Sequence, residues 1–216
     1  MLPLSFLHNK PIWNILLILL KGGHGPMPNS RRIRYFNTAV EARDAFLLDM
    51  ATHRQNIKEA FDKFGADFCN AVGADYNTVG EHVVSHDLSK INEKVEMEGF
   101  IAYYYRFPSN DLPMDCPRRL ILCQKALLNH YHTNPSHPEY WVQFKGNHMI
   151  AVEMDKEAVV EMILDWIAIG MEPEYSSADE YWGNNRNKKL LHEETIKLVD
   201  KLIGIFHENK SKLKKK

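Results

Sequence analysis

The chain carries almost no net charge, few cysteines and no apolar run of membrane-spanning length, and each deficit removes a class of function. A formal charge of -1 at pH 7 over 216 residues provides no field for a polyanion, so nucleic-acid binding is not expected. The three cysteines, Cys69, Cys116 and Cys123, are odd in number, widely spaced and without a C-x-x-C pair. That pattern argues against a disulfide framework or a thiolate zinc site and fits a reducing, cytoplasmic setting. The most apolar segment, residues 12–20, falls short of the ~20 residues that a bilayer span requires, so no transmembrane span is expected. Little charge precedes it beyond Lys10 and no small-x-small cleavage pattern follows, so it reads as a peripheral helix or upstream extension rather than a secretory signal. No internal repeat is visible, and there is no glycine-rich phosphate loop or clear arginine cluster.

What is present is the composition of one folded domain: 44% hydrophobic and 25% charged residues, in a length that buries a single core. Glycines and prolines between residues 22 and 29, followed by Arg31, Arg32 and Arg34, read as a linker, giving an extension at 1–37, a domain at 38–207 and a basic tail at 208–216. The tail reads as a lysine run in solvent.

Within the domain the apolar periodicity is helical, which predicts an all-α fold. Phe46, Met50, Ile57, Phe61 and Phe64 recur at three- and four-residue steps over 38–64, and His53 falls on the same stripe. A second helix is expected over 78–105, with His86 and Asp87 interrupting an apolar side made of Val79, Val83, Ile91 and Val95. After a proline-rich loop, Leu120, Cys123, Leu127 and His130 share a face of a third helix that Pro135 ends or kinks. His132 lies about 200° round an ideal helix from His130, which makes His130 the inward residue. His137, flanked by two prolines, belongs to a turn or a new helix start, and the segment up to Met154 reads as a short hairpin or a loop. Asp155 is expected to cap a fourth helix that carries Asp165 inward between Met162 and Ile169. A last helix over 187–207 presents Leu191, Leu198, Leu202 and Ile205 or Phe206.

Four predicted helices thus each place an ionisable group on a face that should be buried: His53, the His86-Asp87 pair, His130 and Asp165. Buried carboxylates are costly unless paired or metal-bound. Imidazole nitrogen together with carboxylate oxygen suits manganese, iron, cobalt or zinc, so convergence on such a cation accounts for all four positions. His82, His148, His192 and His207 fall outside the pattern and read as surface or packing residues.

The segment HDLSKI, residues 86–91, resembles the HDIGK and HDLGK segments of the HD-domain superfamily, in which a helix-borne His-Asp pair binds metal. The order His53, His86, Asp87, His130, His137, Asp165 is similar to that superfamily's ligand order. More narrowly, the stretch from residue 38 to 206 resembles an uncharacterised family, DUF5662, through His53-Arg54, HDLSK, the H-x-x-x-N of His130 and Asn134, HPEYW from His137, and Asp165-Trp166. The resemblance implies an HD-like helical bundle with inward-facing ligands at His53, His86, Asp87, His130, His137 and Asp165, and one or two divalent transition metals per chain.

It also implies a metal-dependent phosphohydrolase acting on a small, anionic phosphoester, a nucleotide among the candidates, with Asp87 orienting the nucleophilic water and Lys90 meeting a substrate anion. Glu96 and Glu98 are read either as supports behind the ligands or as solvated. Two alternatives stay open. One is a di-iron oxygenase, because the six-residue set also resembles myo-inositol oxygenase and its relatives. The other is a metal-stabilised binding module using Tyr140, Trp141, Trp166 and Tyr181 as a recognition surface.

Overall fold

The computed structural model describes residues 33–213, so the apolar segment at 12–20 and the end of the basic tail lie outside the described residues. The fold is mostly helical. The first helix, α1 (Ala39–Val72), starts where Thr38 and Glu41 form a capping box, each side chain accepting from the other's backbone N–H. It runs eight residues past the expected end because Phe68 and Val72 extend the four-residue stripe of Phe64. Gly73, in the left-handed region at φ 71°, closes it.

The helix expected over 78–105 is three: α2 (Tyr76–Ser85), α3 (Leu88–Asn92) and α4 (Lys94–Tyr104). The first break falls at Asp87, which at φ 59° is the one non-glycine among the described residues with positive φ. Aspartate tolerates that region better than most residues, yet it is a strained conformation that its surroundings must enforce. Arg54 supplies part of the enforcement. From α1 its guanidinium donates to the Val84 and His86 carbonyls, at 2.8 and 3.0 Å.

Helix α5 (Arg118–Thr133) has a different inward face from the one expected. Leu120 is exposed, and Arg119 takes the inward slot ahead of Cys123, Ala126 and His130. The buried guanidinium of Arg119 donates to the carbonyls of Ala102, Phe107, Leu112 and Pro113. A charged side chain is thereby satisfied in the interior while it folds the proline-rich loop onto the start of α5. The segment after His137 is a 3₁₀ turn, Pro138–Trp141, followed by a short antiparallel hairpin. Before these in the chain, β1 (Arg34–Tyr35) pairs in parallel with β2 (Tyr105–Arg106), so the end of the supposed linker makes a ladder with the domain. Strands β3 (Val142–Lys145) and β4 (His148–Ala151) turn at Gly146-Asn147, with Gly146 at φ 61°.

Helix α6 (Lys156–Gly170) starts after Asp155 as expected and is buried on nearly every side. Helix α7 (Ala178–Asn185), with a Ser177/Glu180 capping box, had no counterpart in the sequence reading. Helix α8 (Glu193–Asn209) begins six residues later than predicted, with the His192 side chain accepting from the Glu194 N–H. Its buried line is Thr195, Val199, Leu202, Ile203 and Phe206, while Leu191, Leu198 and Ile205 are only partly covered. The first lysine of the tail, Lys210, is not free in solvent but pairs with Asp179 at 2.8 Å.

Two hydrophobic clusters result. One joins the second half of α1 to α2, α6, α7 and α8. The other joins the first half of α1 to α4, α5 and Tyr105. Helix α1 runs through both, and the ionisable residues fall where they meet.

Candidate metal centre

All six expected ligands come together. His53 and His86 face each other with their Nε2 atoms 3.3 Å apart. Asp165 Oδ1 lies 3.1 Å from the first and 3.5 Å from the second. Asp87 Oδ2 is 3.7 Å from His53 Nε2, and its Oδ1 is 3.8 Å from His86 Nε2. On its other side the same Asp87 Oδ1 lies 3.4 Å from His130 Nε2, which is 2.8 Å from His137 Nε2. Two groups of donor atoms therefore exist, His53/His86/Asp87 and Asp87/His130/His137, each compact enough for one ion. Asp87 belongs to both.

These residues arrive from separate elements. His53 comes from mid-α1, Asp165 from α6 and His130 from the last turn of α5, while His137 sits at the N-cap of the 3₁₀ turn. His86 and Asp87 occupy the break between α2 and α3 rather than a helical face, so the left-handed turn aims the Asp87 carboxylate between the two halves. His132 is exposed, in keeping with the preference for His130.

Four of these separations, from 3.4 to 3.8 Å, are long for hydrogen bonds. They are close to the edge of a coordination shell, roughly 3.0–3.4 Å for ligands about 2.1 Å from a metal. The groups behind the ligands fix which nitrogens are free. Glu161 Oε1 lies 2.9 Å from His86 Nδ1, and Glu96 Oε2 lies 2.9 Å from His130 Nδ1. A carboxylate accepts, so each Nδ1 carries a proton and donates to its glutamate, and each Nε2 is the ring atom turned toward Asp87, its lone pair open to a cation once its own proton is displaced. Glu96 is itself held by Ser89 Oγ and Asn129 Nδ2, at 2.9 and 2.8 Å. His53 Nδ1 is buried without a hydrogen-bond partner among the described residues.

The charges point the same way. Asp87, Asp165, Glu96 and Glu161 meet a single buried lysine, Lys90, whose Nζ is 2.7 Å from Asp87 Oδ2. Burial opposes ionisation of all four carboxyls, but neighbouring histidines, joined at Asp87 by Lys90, outweigh it and hold their pKa values below the ordinary carboxylate range. Burial likewise opposes protonation of His86, yet Asp87, Asp165 and Glu161 raise its pKa well above that of free histidine. At His130 burial and Lys90 prevail over Glu96 and Asp87 and lower the pKa. His137 is lowered further, by burial and by His130. Excess negative charge around lone pairs is a donor set suited to divalent cations.

Three supports were missed or left open in the sequence. Glu161 stands one helical turn before Asp165, a carboxylate in an otherwise apolar run, and that i, i+4 spacing was the available signal. His82, read as a surface or packing residue, lies with Nδ1 3.3 Å from Glu161 Oε2. Of the two glutamates left open, Glu96 is fully buried and Glu98 is exposed. The proposed aromatic surface does not form, because Trp166 and Tyr181 are core residues; only Tyr140 is well exposed. No helix among the described residues is long and apolar enough to cross a membrane.

A family model, the family of unknown function DUF5662, matches residues 43–205. The chain belongs to that family. The matched span holds every residue of the cluster, from His53 to Asp165, and the whole of the DUF5662 match lies within the described fold. No curated protein and no solved structure matches the chain.

Proposed function

We propose that this DUF5662 protein is a metal-dependent phosphohydrolase that binds two divalent transition metals, one at each donor group, and acts on a small anionic phosphoester. The observation that carries the reading is the sharing of Asp87 between two three-residue donor groups. A bound divalent cation supplies Lewis acidity, acidifying water and drawing charge from a phosphoryl oxygen.

The residues supply the rest. Asp87, held by Lys90, orients a water between the two halves of the cluster for attack at phosphorus. As the new P–O bond forms, the ester P–O bond breaks; one proton of the attacking water ends on the leaving oxygen, which departs as the alcohol, and the other stays on the phosphate. Lys90 keeps two further ammonium donors for a phosphoryl oxygen. Glu161 and Glu96 keep the Nε2 lone pairs of His86 and His130 turned inward. Access is from the side of Asp165 and His137, since Asp165 exposes 13% of its side chain and His137 is half-buried, whereas His53, His86 and His130 are closed off. A surface depression lined by Pro108, Asn110 and Met114 lies by the start of α5, far along that helix from His130, and has no part in this site.

The test is a phosphoester screen of the purified full chain loaded separately with manganese, cobalt, zinc and iron, with Asp87→Asn run alongside. Turnover that follows metal content and drops about a hundredfold or more in the variant is expected, a loss of the size seen when a group stabilising developing charge is removed. Absence of turnover with every metal, or turnover unchanged in Asp87→Asn, would overturn the proposal; iron binding with oxygen uptake and no hydrolysis would replace it with the oxygenase reading.

A further inference from the structure

Two ligands of the first donor half each have a polar residue one helical turn before them. His82, in the last turns of α2, precedes His86, and Glu161 of α6 precedes Asp165. That i, i+4 spacing turns both members of each pair to the same side. Val79 and Val83 of α2 share a hydrophobic cluster with Val160 and Leu164 of α6, so apolar packing sets the separation of the two helices. The polar side chains then alternate across the seam. His82 Nδ1 lies 3.3 Å from Glu161 Oε2, Glu161 Oε1 lies 2.9 Å from His86 Nδ1, and His86 Nε2 lies 3.5 Å from Asp165 Oδ1.

Both oxygens of the buried Glu161 carboxylate therefore face an imidazole. A carboxylate held at one oxygen alone keeps rotation about its last bond, and a partner at the second oxygen removes that freedom. Behind His130 the corresponding glutamate, Glu96, is held at its other oxygen by a neutral amide, Asn129 Nδ2. Behind His86 that place is taken by His82. Its Nδ1 is a buried atom with no full hydrogen bond among the described residues, and Glu161 Oε2 is the acceptor within reach. Leaving such a nitrogen unused is costly. Glu161 first, then Glu157 and Glu81, raise the His82 pKa above that of free histidine against the effect of burial, so a charged His82 beside Glu161 is favoured.

We infer that His82 is a positioning residue: by holding the second oxygen of Glu161, it fixes the carboxylate that aims His86 at the metal of the first donor group. The inference rests on the metal-binding part of the phosphohydrolase reading. It makes the affinity of one donor group depend on a side chain that is 34% exposed and acts only through Glu161.

The experiment is a cobalt(II) titration of the metal-free full chain, followed by absorbance, in the unmodified protein, His82→Ala, His82→Asn, Glu161→Gln and the double variant of His82→Ala with Glu161→Gln. Alanine suits a partly exposed helical position, so the fold is not at risk. His82→Ala should weaken the tighter step about tenfold, the lower end of what loss of an outer support costs, and leave the weaker step unchanged. Asparagine carries an amide nitrogen where histidine carries Nδ1, so His82→Asn should recover most of the loss. In the Glu161→Gln background His82→Ala should cost little more, because the two residues act in series. A histidine that only packs would change both steps alike or neither. An unchanged tighter step in His82→Ala, a loss shared by both steps, no recovery in His82→Asn, or the full tenfold loss persisting in the Glu161→Gln background would overturn the inference. Failure of the unmodified protein to take up cobalt would instead overturn the metal reading, and the inference with it.

Discussion

The two halves of the cluster use the same kinds of residue to different electrostatic ends. Around His53 and His86 stand Asp87 and Asp165, with Glu161 directly behind. Around His130 and His137 only Asp87 faces the imidazoles, Glu96 supports from behind, and the Lys90 ammonium acts against positive charge. The first half gathers protons or cations and the second resists them, which accounts for the opposite shifts of His86 and His137. Each half also rests on a different hydrophobic cluster, so one carboxylate at a strained turn couples two packing units.

The largest expected effect comes from removing the coupling. Asp87→Ala should lose metal from both halves and, with it, about 4 kcal/mol of metal-linked stability per site at metal concentrations a thousandfold above each Kd, read from unfolding with and without metal. Retention of either metal would break the comparison, since it would show that a half stands without the shared residue. The next effect separates the halves. His86→Ala should abolish the tighter binding step, while His137→Ala should remove only the weaker one, as counted by elemental analysis per chain. Smaller still are the supports: Glu161→Gln should weaken the first step and Glu96→Gln the second, each by about 10–100-fold in metal affinity.

The smallest effect is on pH dependence in metal-free protein. His86 has a raised folded-state pKa, so the stability it contributes is fully present below about pH 6.5 and is lost as pH rises through the folded value. His137 has a lowered one, so it costs nothing above about pH 6.5 and destabilises as pH falls below that. Urea unfolding at a series of pH values should therefore show His86→Ala flattening the alkaline side and His137→Ala flattening the acid side. The same arm changing in both variants would contradict the division.

Much of this was legible in the sequence, and what was missed has a physical reason. His53, His130 and Asp165 were recognisable because each shares a helical stripe with apolar neighbours, and three- and four-residue spacing survives errors in helix ends. The break at Asp87 was not legible, because a left-handed aspartate is enforced by Arg54 from a distant helix and leaves no local pattern. Leu120 misled for a related reason: only the carbonyls of a folded loop make Arg119 the better buried residue. Helix α7 was missed although Ser177 and Glu180 carry a capping-box spacing, because its eight residues are too few to show an amphipathic period. His137 could be placed at a turn by its flanking prolines, but its direction toward His130 depends on the whole chain.

The shared role of Asp87 is tested most directly by titrating metal-free protein with cobalt(II), followed by absorbance and by elemental analysis at saturation, in the unmodified chain and in Asp87→Ala. The account predicts two equivalents taken up in two unequal steps by the unmodified protein, and neither step in the variant. A single step in the unmodified protein, or two steps surviving without Asp87, would contradict it.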